Sequence, residues 1–470
     1  MKRKICRIVA LLVFISIIPV LSYTQEVNTL YYMDRIPQVS LMNPAKQPVP
    51  NGYLNLPAIS DINMNIGNNT LTYDDIIMES PVNDSLITFL HPDANTDDFL
   101  NTLKPKNSYF TQFSTNLLGF GFRLGQSYLS FHARQKSSLK FSYPKDLMTF
   151  ITKGNTKGEY TSLSNFDLLT NHYLEYSLGY AGRVNQDLSF GLRVKYLNGI
   201  SNFRTDEFNL DLYTSQMADS LSLTSDIEIQ GTAPVKVSTD SLGFVDEIKG
   251  IEPRIEDLFK NPGFAFDFGI NYQLMDDLEI SASVTDLGFI NYSNYSHQYT
   301  VNGQFSYTGI DVSSEFREDS DSDPAGDLLD SLQEATKLNY SEEGFLHFLG
   351  PKIFVGGNYQ LTRKVDFGFL SRTTFFGGDV NQSLTLSANT RPIPGVSFSA
   401  SYSVMNRAFN NLGLGVGLRL GPFQVYTVSD VVSAGLWPGH TKAFNLRLGL
   451  NLVFGANRMK RIMDDEPMIR

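Results

Sequence analysis

The stretch "FNLRLGLNLVFG", Phe444–Gly455, decides the fold. Phe444, Leu446, Leu448, Leu450, Leu452 and Phe454 alternate with Asn445, Arg447, Gly449, Asn451 and Val453. A period of two belongs to a strand with two unlike faces. One face here is wholly apolar; the other holds an arginine. The scheme recurs upstream. "LEISASVTD" sets Leu278, Ile280, Ala282 and Val284 against Glu279, Ser281, Ser283 and Thr285. "VSFSASYSV" sets five apolar residues against four serines, and "LSFGLRVKY" again places an arginine, Arg193, among apolar neighbours. Fourteen segments fit the pattern: 52–66, 109–124, 127–142, 172–184, 187–203, 263–274, 277–292, 347–360, 364–376, 380–391, 395–406, 411–420, 422–431 and 442–454. Each is long enough to cross a bilayer as a tilted strand. Segments 205–214, 221–232 and 298–309 also look extended but lie in connections.

The connections separate a soluble sandwich from a membrane barrel. "LGQSY", "VNQDL", "LMDDL", "LTRKV", "RPIPGV" and "LGPF" are tight, and longer or moderate stretches alternate with them, "FGGDV" and "MNRAFNN" among the moderate. Short turns on one side and long loops on the other are the habit of an outer-membrane barrel, and an even strand count puts both chain ends in the periplasm. The expected fold is therefore all-β, a fourteen-stranded antiparallel transmembrane barrel over residues 51–455, with Phe444–Phe454 closing it against the strand near Tyr53. A secreted all-β sandwich array is the alternative.

The first residues, "MKRKICRIVALLVFISIIPVLSYTQE", have a basic start and then an apolar run, the pattern of a secretory signal peptide over 1–24. Losing Lys2, Arg3, Lys4 and Arg7 would take the formal charge from −11 to −15. An acidic exported chain is a poor partner for nucleic acid. Cys6 is the only cysteine and precedes the apolar run, so neither disulfides nor thiolate chemistry is expected in the mature chain. Residues 456–470 are left as a periplasmic tail. The expected location is the outer membrane of a Gram-negative bacterium, in contact with its lipid.

By parity the charged residues on strands point inward: Arg123, His132, Arg134, Glu175, Arg193, Lys195, Asp267, Glu279, Asp366, Arg419 and Arg447. A charge facing lipid at mid-membrane costs about 2–4 kcal/mol, which favours this orientation. They form either a polar pathway with a carboxylate clamp or an ion-pair network that braces the wall and holds a plug. Small inward residues, Gly191, Gly269, Gly368, Gly413, Gly415 and Gly417, leave room that the walls of so wide a barrel cannot fill. The segment free to occupy it is 25–50, which contains "SLMNPAKQP".

No G-x-S-x-G, H-E-x-x-H or G-x-x-x-x-G-K is present, so an enzyme is not expected and no cofactor is implied. "EDSDSDPAGDLLD" spaces Asp319, Asp321, Asp323, Asp327 and Asp330 in the manner of a calcium loop, but its sixth place is Pro324, where such a loop needs glycine. A solvated outer loop is the expected reading, and calcium is the one metal left open.

With Asn43, Pro44 and Ala45 ahead of the first strand, and with "GLRVKYLNG" and "VTDLGF", the chain resembles the FadL-like superfamily of long-chain fatty-acid transporters. The resemblance covers most of the mature chain. It implies a fourteen-strand barrel whose plug carries the Asn-Pro-Ala turn, in a branch related to accessory barrels of the type IX secretion system. Two functions follow as expectations. One is binding or passage of small hydrophobic molecules through the plugged lumen, with an apolar pocket near the plug. The other is a non-transporting barrel that scaffolds a secretion or surface complex through a protein partner.

Overall fold

The computed structural model describes residues 27–455 except 84, 155–156, 218–219, 234, 240–244, 252–258, 308–338 and 406–407. The expected signal peptide, the C-terminal tail and the Asp319–Asp330 loop lie outside the described residues.

Fourteen antiparallel strands close on themselves. β1 runs in two pieces, Gly52–Asn55 and Ile62–Asn68. There follow β2 (Lys106–Leu124), β3 (Ser127–Pro144), β4 (Asp167–Arg183), β5 (Leu188–Thr214), β6 (Asn261–Met275) and β7 (Leu278–Tyr292). β8 (Lys352–Thr362), β9 (Val365–Phe376), β10 (Asp379–Thr390), β11 (Val396–Met405), β12 (Ala408–Leu420), β13 (Phe423–Ser429) and β14 (Ala443–Phe454) complete the wall. β14 pairs with both pieces of β1, opposing Tyr53 to Val453 and Asn63 to Arg447, so the sheet has no edge where it closes.

The faces are inverted relative to a soluble protein. On β6, Phe264, Phe266, Phe268, Ile270 and Tyr272 face outward, with Phe266 40% exposed, while Asp267 behind it is 0% exposed. On β14, Asn445, Arg447 and Asn451 are buried inside, and the leucines between them stand on the outer wall. Apolar surface outside and ionised groups inside is stable only where the surroundings are hydrocarbon. Leu448→Arg, at the middle of β14, is thus expected to cost about 2–4 kcal/mol of folding stability in lipid vesicles; equilibrium denaturation of the refolded barrel measures it.

Three features differ from the sequence expectation. The connection "FGGDV" is a tight turn, with Gly377 and Gly378 both at positive φ. β5 runs on to Thr214 and, with Leu221–Thr232, Ser296–Tyr307 and Asn339–Ser341, builds a sheet continuous with the long-loop end. The first strand is interrupted at Leu56–Asp61, where Ala58 takes positive φ and turns Asp61 inward to full burial.

The lumen is filled by the chain that precedes β1. Its two 3-10 turns, Thr29–Tyr32 and Pro37–Leu41, are almost wholly buried. Val27, Leu30, Tyr31, Tyr32, Met33, Ile36, Val39 and Met42 form the main apolar core with Phe354, Leu370, Tyr426 and Val428 of the wall. This core lies inside the barrel, whereas the β14 leucines lie outside it.

Candidate functional site

The plug seats against the six inward glycines. A Cβ at Gly191 would lie 2.1 Å from the Pro44 carbonyl carbon, and one at Gly269 would lie 2.1 Å from Asn43 Oδ1. At Gly368 the plug neighbour is Tyr32 and at Gly415 Met33; at Gly413 Thr29 stands beside the closer Ser401, and at Gly417 Ile36 is in ordinary contact at 3.5 Å behind Ser397. The room left by small residues is therefore taken by the chain itself, not by a water column.

Asn43, Pro44 and Ala45 form a closed turn. Asn43 Oδ1 accepts from the Ala45 amide at 2.9 Å, the local bond that makes asparagine a turn former. Asn43 Nδ2 donates to Tyr31 Oη at 3.1 Å and to Asn271 Oδ1 at 3.0 Å, tying the turn to the plug's first helix and to β6. The plug's other end is tied by Asp430, fully buried just beyond β13. Its carboxylate accepts the Asn28 amide at 2.6 Å, the Thr29 amide at 3.0 Å and the Thr29 hydroxyl. Asp430→Asn replaces one acceptor oxygen with a donor that opposes these groups. A loss of about 1.5–3 kcal/mol is expected from a hydrogen bond to a charged group. Faster proteolysis of the plug in the folded barrel is the measurement.

Over the plug, toward the long-loop end, lies a cavity of about 250 Å³. Leu41 and Met42 of the plug line it, with the buried Leu169, Leu349 and Phe354 from the wall and its loop end. Buried charges in two groups share the lining. Arg447 grips Asp61 through Nε at 2.6 Å and Nη2 at 2.9 Å; the Tyr426 hydroxyl donates to Asp61 at 2.9 Å, and Arg134 lies 3.5 Å away. In the second group Arg193 meets Asp267 at 2.9 Å. Lys195 meets Asp267 at 2.6 Å and Asp286 at 2.7 Å; Lys136 meets Glu175 at 2.7 Å and Asp286 at 3.1 Å. Arg193 also donates to the Ser40 carbonyl at 2.6 Å, so this group touches the plug directly.

The remaining residues that parity points inward sit elsewhere. His132 is buried beside Tyr53, whose hydroxyl lies 2.9 Å from Nε2. Asp366 pairs with Arg391 at 2.6 Å at the short-turn end, and Glu279 is half-buried on β7. Arg123 holds Gln47 and Pro48 where the plug leads into β1, and Arg419 caps carbonyls at Gly421 and Val453. None of these five joins the vestibule network.

Sequence reasoning missed Asp61, Lys136, Asp286 and Asp430. Lys136 has the parity of His132 and Arg134, so the same argument reaches it. Asp286 escapes parity because β7 bulges there: Asp267 stands opposite two residues, and Asp286 takes φ +61°. Its amide donates to Asp267 at 2.8 Å, which anchors the bulge.

The fold is similar to several solved barrels. A Pseudomonas aeruginosa FadL homologue is 10% identical, with 93% of this chain and 99% of that chain covered and a TM-score of 0.43. The Ralstonia pickettii toluene transporter TbuX is 9% identical, with 89% and 94% covered and a TM-score of 0.41. The translocator domain of the autotransporter NalP from Neisseria meningitidis is 9% identical, with 89% and 94% covered and a TM-score of 0.30. Likeness at this level says nothing about what is bound or moved. No curated protein matches the chain. A family model matches residues 44–430, from the Asn-Pro-Ala turn to the end of β13, and the chain belongs to that family, described as a family of unknown function (DUF5723).

Proposed function

We propose that the protein is an outer-membrane barrel of a Gram-negative bacterium. It binds small hydrophobic molecules in the vestibule over its plug and passes them inward when the plug shifts. The observation that carries this reading is the cavity with an apolar wall that ends on plug residues Leu41 and Met42. A ligand there would touch the plug directly. The Arg193–Ser40 contact gives a second route by which occupancy could loosen it. The inverted surface supports a lipid environment, and a barrel is one of the two architectures that satisfy every backbone group there. No catalytic role is proposed for the buried histidine or for the carboxylates.

A second reading has its own observation. The sheet built on the extension of β5 would offer backbone and side chains to a protein partner if the barrel served as a scaffold for a secretion or surface complex. Purification from native membranes in mild detergent separates the two. Small apolar molecules recovered by mass spectrometry of the extract support the vestibule reading. A stoichiometric protein partner without such molecules overturns it in favour of the scaffold.

A further inference from the structure

The charges around the vestibule do not cancel. Setting Lys352 aside, five cations among the described residues line it or its floor: Arg134, Lys136, Arg193, Lys195 and Arg447. They share four carboxylates, Asp61, Glu175, Asp267 and Asp286. The shortfall falls on Arg134. Among the described residues its one carboxylate within 4 Å is Asp61 at 3.5 Å, and Asp61 is already gripped at two points by Arg447. Arg134 Nη2 donates to Ser114 Oγ at 3.1 Å, while Nε has no hydrogen-bond partner among the described residues. Yet Arg134 is only 8% exposed. A guanidinium so deeply placed and so poorly matched is costly unless something brings it a negative charge.

From this we infer that the vestibule takes a compact aromatic carboxylate, with Arg134 as the receptor of its carboxylate. Three observations select that chemistry. The planar guanidinium matches a carboxylate in a two-point contact. The buried apolar part of the lining, Leu169, Leu349 and Phe354 with Met42, suits the face or edge of a ring. A cavity of about 250 Å³ lies just below the roughly 300–1,000 Å³ of pockets for drug-sized ligands, which disfavours an extended aliphatic tail. The inference deepens the vestibule reading and rests on it. It adds that the hydrophobic ligand carries one negative charge and that charge, not only apolar contact, holds it.

The test uses the purified full-length protein in detergent, with benzoate and its neutral analogue benzyl alcohol as probes in calorimetric titrations. Benzoate is expected to bind about tenfold tighter, as one charge-assisted contact provides. Its affinity should fall as salt rises, while that of benzyl alcohol should not. Arg134→Gln should abolish the preference, with heat-modifiable gel mobility reporting that the barrel is folded. If that variant does not fold, the salt dependence of the unaltered protein still decides. Equal affinities for the two probes, or a benzoate preference that survives Arg134→Gln in a folded barrel, overturn the inference while leaving the vestibule reading intact. Binding of neither probe overturns both.

Discussion

Asp61→Ala is expected to destabilise the barrel by about 3–5 kcal/mol, the range for removing one partner of a buried ion pair. Asp61 is fully buried, and Arg447, Tyr426 and Arg134 all direct donors at it. The alanine leaves two guanidinium groups and a hydroxyl facing one another without their acceptor. The lost Coulomb attraction is a smaller part of the cost than the charge left uncompensated. Urea-induced unfolding of the detergent-folded barrel, followed by heat-modifiable mobility, measures the difference. Arg447→Met in the same background should recover part of the loss, because it withdraws one of the stranded charges. A double variant as unstable as Asp61→Ala alone would mean that Arg134 and Tyr426 carry the penalty.

Gly191→Leu is expected to unseat the plug while leaving the wall closed. The first added carbon would already lie 2.1–2.3 Å from the Pro44 carbonyl group and the Ala45 amide nitrogen, and these are backbone atoms that cannot rotate aside. Overpacking of this kind costs about 1–3 kcal/mol when a core must absorb it. Here the turn at Asn43–Ala45 can retreat into the lumen instead, since its remaining ties to the wall on that side are few hydrogen bonds. In planar bilayers the variant should conduct ions where the unaltered protein stays closed, and protease should reach residues 43–48. Gly357→Ala is the matching control: its Cβ would meet only the Glu279 carbonyl oxygen, at 3.9 Å. A variant at Gly191 that stays silent and protected would show that the plug adapts without leaving its seat.

Much of the architecture was legible from alternation alone, because in lipid the apolar face must be continuous and the polar face must be enclosed. Arg447 among leucines fixed which side is inside, and the structure buries it there. The six inward glycines marked a space, and the plug fills it. Legibility ended where the period breaks. Asp286 sits on a bulge of β7 and so escapes parity, whereas Asp61 shares the inward parity of Asn63 and Asn65 but lies in an interruption of β1, where strand reasoning is weakest. Which charges meet was also hidden. His132 and Arg134 share a face, yet one faces Tyr53 and the other Asp61. Such pairings follow from strand stagger around the ring, which no single strand records. The apolar pocket expected near the plug is apolar only in part, because the inward charges of the strands share its lining with Leu41 and Met42.

The first residues of the plug meet the last parts of the wall. Asn28 donates to Ser383 and Thr385 on β10 and to Asp430 beyond β13; Thr29 bonds Ser401 on β11; Gln38 bonds Asn451 on β14. These contacts span up to 413 positions of sequence. Contacts of such separation are the slowest to form, since every intervening segment must be placed first. Although it leads the barrel in sequence, the plug can therefore complete these contacts only once β10, β11, β14 and the segment beyond β13 are in place. A barrel that stalled before β13 and β14 were added would lack Asp430 and Asn451 and would leave its leading segment unseated. The order of assembly is thereby written into the closure of the lumen: a sealed barrel is one whose final strand is already in place.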